Sequence, residues 1–369
     1  MPRGWGPRLK SKVAAGDALI IGSPVAVVGS EGARADEGRP HWKGHDMPVA
    51  ATTTPASGYR AVEFTSDGAT LRGRLYLPER WPAPVVVMAH GFSATIPMVM
   101  DRYADCFRER GLAVLAFDHR GHGSSDGEPR GEINAWVQAR GFIDAIGAAR
   151  GFAEIGSSPV ALWSDSLSAR VALGVAALDD RVSALVCQVP ALGATLGADD
   201  PAGTRLAAME RFLAIGEVRR PSDTWVSLPV VSADQVASPS ALTPLTAYRW
   251  FIEYGGRYDS GWTNRVVFTA PSDAPDFDPF ACAPRVAVPT LFVMSPDDEM
   301  PGAVSAVTRA VFERLAGPKE VVEADGGHFG IIEHPSSAFD VASEAQAEWL
   351  TRTLGDGASG RLPSGEAGS

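Results

Sequence analysis

The sequence predicts an α/β domain built on a mostly parallel sheet with helices on both faces. Short, wholly apolar runs recur, among them PVVVMA (84–89), LAVLAF (112–117) and TLFVM (290–294). Such runs belong to strands buried on both sides of a parallel sheet. Longer stretches with apolar residues at helical spacing separate them. The alternation holds from residue 61 to about 190 and resumes over 290–354, which favours helices packed on both faces of one sheet.

Residues 61–64 and LRGRLYL (71–77) read as strands, the second with period-two alternation. PVVVMA follows, then a helix over 98–111 stopped by Gly111, then LAVLAF. A helix over 133–152 leads to the strand PVALW (159–163). A helix over 166–178 leads to VSALVCQV (182–189). TLFVM, a helix over 303–315, a strand over 320–323 and a last helix over 338–354 complete the core. Between core strands 6 and 7, residues 191–289 break the pattern. They hold the amphipathic stretch TRLAAMERFLAI, Pro- and Ser-rich loops, and the aromatics Trp225, Trp250, Phe251, Tyr254 and Trp262. An insertion of this length is expected to be a cap or lid.

The two ends differ from the rest. Residues 1–60 begin with Arg3, Arg8, Lys10 and Lys12 and an apolar run broken by Asp17, Gly22 and Pro24. A basic start before an apolar run opens a signal peptide, but this run is interrupted and lacks a small-x-small end. A disordered extension is expected there, and a disordered tail over 355–369. The core would then be 61–190 with 290–354.

Among the 369 residues, 33 Lys and Arg stand against 44 Asp and Glu, a net charge of −11. That balance excludes nucleic acid as the main partner, since phosphates need Lys and Arg to neutralise them. No run is long and apolar enough to span a bilayer. Cys106, Cys187 and Cys282 are odd in number and widely spaced, which excludes a full disulfide framework and suits a reducing, cytoplasmic setting. The sequence leaves a homo-oligomer open.

The chemistry is expected at the carboxyl ends of the strands. PVALW runs into Ser164-Asp165-Ser166-Leu167-Ser168-Ala169 and a helix, the strand–turn–helix setting of a nucleophile elbow. The residues two before and two after the nucleophile must be small. Ser166 meets this with Ser164 and Ser168, whereas Ser164 would put Leu162 in the first of those places. Ser166 is therefore the candidate nucleophile, against the plainer reading of a helix N-cap cluster. PVVVMA ends in His90-Gly91-Phe92-Ser93, and LAVLAF ends in Asp118-His119-Arg120-Gly121-His122-Gly123. His119 and His122 have no second ligand pair at metal spacing, and no metal is expected. TLFVM leads to Ser295-Pro296-Asp297-Asp298-Glu299-Met300-Pro301, and the last strand to Gly326-Gly327-His328-Phe329-Gly330. A serine, an acid and a histidine thus follow separate core strands in that order, as they do in α/β hydrolases and in no other common triad enzyme.

On these motifs the chain resembles the α/β-hydrolase superfamily over about residues 61–354. More narrowly, it resembles a branch related to dienelactone-hydrolase-like and X-Pro-peptidase-like domains that includes polyketide thiohydrolases and transferases. Residues 117–146 carry that branch's D-x-R-x-x-G-x-S-D-G-x-P-R-x-E-I-x-x-W pattern as Asp118, Arg120, Gly123, Ser125, Asp126, Gly127, Pro129, Arg130, Glu132, Ile133 and Trp136. The branch's W-G-x-S-x-S-G elbow is altered here, with Ser164 and Ala169 in place of glycines. The resemblance implies a triad of Ser166, Asp297 and His328, Asp297 standing four residues before Pro301 and Asp298 being the alternative acid. It implies an oxyanion hole from the Phe92 and Leu167 N–H groups. It implies hydrolysis of an ester or thioester without a cofactor, and the aromatics of residues 191–289 suggest a small-molecule substrate with an apolar acyl or aryl group. Trp163, Trp250, Phe251 and Trp262 are the expected pocket residues. An acyltransferase or cyclase would use the same triad. An epoxide hydrolase would need an Asp at the elbow's centre, which Asp165 misses by one place. A peptidase and a non-catalytic binding relative are the remaining readings.

Overall fold

The computed structural model describes residues 58–216, 218, 225–269 and 274–359. An eight-stranded sheet forms its centre. It contains β1 (Arg60–Ser66), β2 (Ala69–Tyr76), β3 (Val85–Ala89), β4 (Ala113–Phe117), β6 (Val160–Asp165), β7 (Val182–Gln188), β10 (Thr290–Met294) and β11 (Lys319–Glu323), in the order β1-β2-β4-β3-β6-β7-β10-β11. β2 pairs antiparallel with both β1 and β4, and the other pairings are parallel. The α/β-hydrolase fold expected from the motifs is therefore present.

Burial on both faces explains the unbroken apolar strands. In β3, Val85, Val87 and Ala89 join one core cluster, and Val86 and Met88 the other. The first cluster packs under α2 (Ala135–Arg150), α3 (Ser166–Leu178) and α7 (Ser305–Arg314). The second packs under α1 (Asp101–Glu109) and α9 (Ser337–Ser359). Each fully buried large apolar side chain contributes about 1.5–3 kcal/mol. Asn134 caps α2, its side-chain oxygen accepting from the Trp136 and Val137 N–H groups, so α2 starts two residues after the expected boundary. The helix expected over 98–111 is broken. Residues Ile96–Met100 form a wide turn with Val99 at φ +96°, and α1 begins at Asp101. α9 runs to Ser359, past the expected end at residue 354. Apart from Gly58, Tyr59, Arg60 and this extension of α9, the expected N-terminal extension and tail lie outside the described residues.

The described residues among 191–289 divide between the two faces. α4 (Thr204–Ala214) and α6 (Pro279–Cys282) pack on the α3 and α7 side, through Leu206, Met209 and Phe280. α5 (Leu245–Gly255) packs on the other side through Trp250, Phe251 and Tyr254, over α8 (Gly327–Gly330). β8 (Val226–Leu228), β9 (Val266–Phe268) and β5 (Glu132–Ile133) form a second, small sheet. The strand order brings the carboxyl ends of β3, β6, β10 and β11 together, and the candidate residues follow those four strands.

Candidate active site

The elbow is built by three serines with different tasks. Ser166 follows β6 directly and has φ +51°, a left-handed conformation that costs a non-glycine residue on the order of 1–2 kcal/mol. Packing enforces it. Ser164 Oγ donates to the Ala89 carbonyl at 2.9 Å and Ser168 Oγ to the His90 carbonyl at 2.7 Å. Both serines are fully buried, so the two small neighbours of Ser166 also bind the turn to the end of β3. Gly91 must lack a side chain here, since a Cβ would lie 2.7 Å from Ser166 Cβ.

Asp165, at the head of α3, makes no side-chain cap. Its carboxylate accepts from the Gly91 N–H instead. Burial raises its pKa, against the attraction of His90 and His328. Phe92 follows at φ +41°, so its N–H is presented from a strained turn. Leu167 lies in the first turn of α3, where N–H groups lack intrahelical partners. Leu167 directly follows Ser166, and Phe92 directly follows Gly91, the glycine that lies against Ser166.

His328 arrives on α8 behind Gly326 and Gly327, at φ +121° and +71°. Its Nε2 lies 2.9 Å from Ser166 Oγ, and its Nδ1 lies 2.8 Å from Asp298 Oδ2. With Nδ1–H donating to Asp298, Nε2 is left to accept the serine proton. His328 and Asp298 side chains are 2% and 5% exposed, so little water competes for either bond.

The acid beside the histidine is the alternative named from the sequence, not the first choice. Asp298, not Asp297, meets the imidazole. The turn after β10 is closed by the Asp298 N–H on the Ser295 carbonyl at 3.3 Å. In it the Asp297 side chain accepts from Ser295 Oγ at 2.7 Å and from the Gly327 N–H at 3.1 Å. Those two donors, Ser295 first, hold the Asp297 carboxyl below the usual range. Asp297 therefore braces the histidine loop from outside. Glu299 was not singled out by the sequence, and it accepts from the His328 N–H at 2.8 Å and from Thr246 Oγ1.

The expected pocket residues separate in the same way. Trp163 stands in the middle of β6 and faces the core. It is 1% exposed, packs on Tyr103 and donates Nε1–H to Gln346 Oε1 at 2.5 Å. Trp250 donates to the Ile332 carbonyl at 2.7 Å and stacks on Tyr254. Both are scaffold residues, because a bonded indole N–H fixes the ring in the packing. Phe251 is also buried, against Trp262 and Phe329. Trp262 alone of the four is only partly buried, its Nε1–H donating to Ser93 Oγ at 3.4 Å. Phe92, Leu167, Phe268 and Met300 are other partly buried apolar groups packed against the same core cluster.

Behind the elbow lies a buried polar layer. Asp118 accepts from the Ile96 and Ser124 N–H groups at 2.9 and 3.0 Å, and His90 Nε2 approaches its Oδ1 at 3.6 Å. Burial alone would raise the Asp118 carboxyl, but His90 and these N–H groups hold it below its ordinary value. His119 Nε2 lies 3.0 Å from Ser168 Oγ, and His122 Nδ1 lies 3.0 Å from the Arg120 carbonyl. Burial, with His90 nearby, pushes His119 well below its ordinary value and His122 down to about 3. Both are neutral struts at ordinary pH. Among the described residues, no group of three or more His, Cys, Asp or Glu side chains is placed to hold a metal.

Sheet order, elbow and histidine loop together define an α/β hydrolase. The family model described as serine aminopeptidase, S33 matches residues 81–271, and the chain belongs to that family. The thiohydrolase aneE of Aspergillus aculeatus is 29% identical over 307 residues, covering 80% of this chain and 94% of that protein. The polyketide transferase ATR5 of Stachybotrys chlorohalonatus is 30% identical over 297 residues, covering 79% and 97%. Among solved structures, the α/β hydrolase GrgF from Penicillium sp. sh18 superposes with a TM-score of 0.59 at 24% identity, covering 84% of this chain and all of that one. Among the described residues, no helix is long and apolar enough to cross a membrane.

Proposed function

We propose that the chain is a serine hydrolase that cleaves an ester or thioester of an apolar acyl or aryl substrate through an acyl-enzyme on Ser166. The observation that carries this reading is the unbroken chain Ser166 Oγ–His328–Asp298, with Ser166 in a left-handed conformation. His328 Nε2 takes the hydroxyl proton as Oγ bonds to the acyl carbon. The carbonyl oxygen becomes an oxyanion held by the Phe92 and Leu167 N–H groups. Collapse expels the alcohol or thiol, which receives the proton from His328. Water then repeats the sequence and frees the acid. Asp298 fixes the Nδ1–H tautomer and stabilises the imidazolium. The partly buried apolar side chains next to the elbow in the chain, Phe92 and Leu167, favour an apolar acyl group.

The carboxylates beside the nucleophile are engaged. Asp165 binds the Gly91 N–H, Asp298 binds His328, and Glu299 binds Thr246 and the His328 N–H. That favours esters and thioesters over a peptide amino terminus, which would call for a free acid. The likeness to ATR5, a polyketide transferase by name, favours a second reading in which an alcohol or amine accepts the acyl group in place of water. The test is a panel of p-nitrophenyl esters and acyl thioesters, with products analysed with and without an added amine or alcohol. Free acid alone supports hydrolysis, and an ester or amide of the acceptor supports transfer. Turnover of dipeptides in place of the panel would overturn both.

A further inference from the structure

We propose that Glu299 is a positioning residue that ties helix α5 to the main chain of His328. The inference rests on the triad reading above and deepens it. α8 is a helix of only four residues behind two glycines at positive φ, so its own hydrogen bonds do little to fix the Cα of His328. Asp298 holds the ring through Nδ1 but leaves the backbone unanchored. Glu299 supplies that anchor. One carboxylate oxygen accepts the His328 N–H at 2.8 Å, and the other accepts Thr246 Oγ1–H from the first turn of α5. The carboxylate sits in the hollow left by Gly327, where a Cβ would come within 2.6 Å of Glu299 Oε2.

α5 is fit to serve as the fixed end. Its Trp250 donates to the Ile332 carbonyl at 2.7 Å, and its Tyr254 hydroxyl accepts the His334 N–H at 2.8 Å. The ring of Phe329, next to His328, lies 5.6 Å from Trp250 and 6.2 Å from Phe251. The chain that follows His328 is thus clamped to one helix, and Glu299 closes the clamp at the histidine itself. α5 belongs to the catalytic scaffold. Lifting it as a lid would break the Thr246–Glu299 bond and release the base. Displacement of a catalytic group by about 1 Å can cost on the order of 10²-fold in rate.

The test uses the full chain with Glu299→Ala, Glu299→Gln and Thr246→Val. It reads the rate constant of fluorophosphonate labelling, kcat and KM on an active p-nitrophenyl ester, and thermal melting. Glu299→Ala is expected to lower labelling rate and kcat by about 10- to 100-fold with KM within about threefold. Glu299→Gln should stay within about fivefold of the parent. Its amide oxygen still accepts the His328 N–H and its amide N–H donates to Thr246 Oγ1. Thr246→Val should lower both rates by about two- to fivefold. Equal rates in Glu299→Ala and the parent would overturn the proposal, as would parallel losses in Glu299→Ala and Glu299→Gln explained by melting alone. If Glu299→Ala does not fold, unchanged rates in Thr246→Val overturn it. Ser166→Ala run alongside separates the two levels. Labelling that persists there sinks the triad reading, whereas labelling lost there but unaffected by Glu299→Ala sinks only the role of Glu299.

Discussion

Replacing each of two adjacent aspartates by asparagine should have opposite outcomes, and the structure sets both magnitudes. In Asp298→Asn, the Met300 N–H, 2.9 Å from Oδ1, holds the amide oxygen on its own side. The amide nitrogen then faces His328 Nδ1 where Oδ2 stood at 2.8 Å. Two N–H donors cannot face each other, so the imidazole takes its other tautomer, with the proton on Nε2. Nε2 then cannot accept the Ser166 proton. A wrong tautomer of this kind costs about 10³–10⁴ in rate, or roughly 4–5.5 kcal/mol of transition-state stabilisation. In Asp297→Asn, the amide oxygen can still accept from Ser295 Oγ and the Gly327 N–H, and the lost charge was solvated. The expected loss is below about fivefold. The assay is the second-order rate of fluorophosphonate labelling at pH 7.5, with circular dichroism to confirm the fold. A larger loss in Asp297→Asn than in Asp298→Asn would refute the argument, as would an Asp298→Asn enzyme within tenfold of the parent.

Two further outcomes follow from packing and titration. Gly91→Ala would place a Cβ 2.7 Å from Ser166 Cβ and 2.8 Å from the Asp165 carbonyl oxygen, with little room to relax. Labelling should fall by about 10²-fold with a lowered melting temperature, and labelling within threefold of the parent would contradict the close approach of the two turns. His122, pushed down to about 3, and His119, also pushed down, stay neutral in the fold when their unfolded counterparts take up a proton. The unfolded chain binds more protons below about pH 6.5, so stability is full above that pH and falls as pH drops toward 3. The slope should be about 1.4 kcal/mol per pH unit for each histidine. Urea unfolding between pH 7.5 and 5 measures it. A His122→Asn variant should show a shallower slope, and an identical slope would count against the assignment.

The strands and the elbow were legible because they depend on local patterns. The fully apolar runs marked the buried strands, and the small residues around Ser166 marked a turn followed by the helix Ser166–Leu178. The choice between Asp297 and Asp298 was not legible. Adjacent residues in a turn point in different directions, and the direction here depends on the Asp298 N–H bond to Ser295 and on donors from the loop some thirty residues away. Glu299 was hidden for the same reason, since its partners come from α5 and α8. Trp163 and Trp250 misled because neither closeness to Ser166 in sequence nor a place in the inserted segment says which face an aromatic ring takes. β6 turns Trp163 to the core, and the Ile332 carbonyl holds Trp250 in place. The sheet of β5, β9 and β8 has strands of two or three residues, too short to show a period.

The claim on which the rest depends is that Ser166 is the nucleophile. Intact-mass analysis and peptide mapping after fluorophosphonate treatment test it directly. The account predicts one adduct, on Ser166, in the parent chain, and none in a folded Ser166→Ala variant. An adduct of equal yield in Ser166→Ala, or one mapped to Ser164 or Ser168, would contradict it.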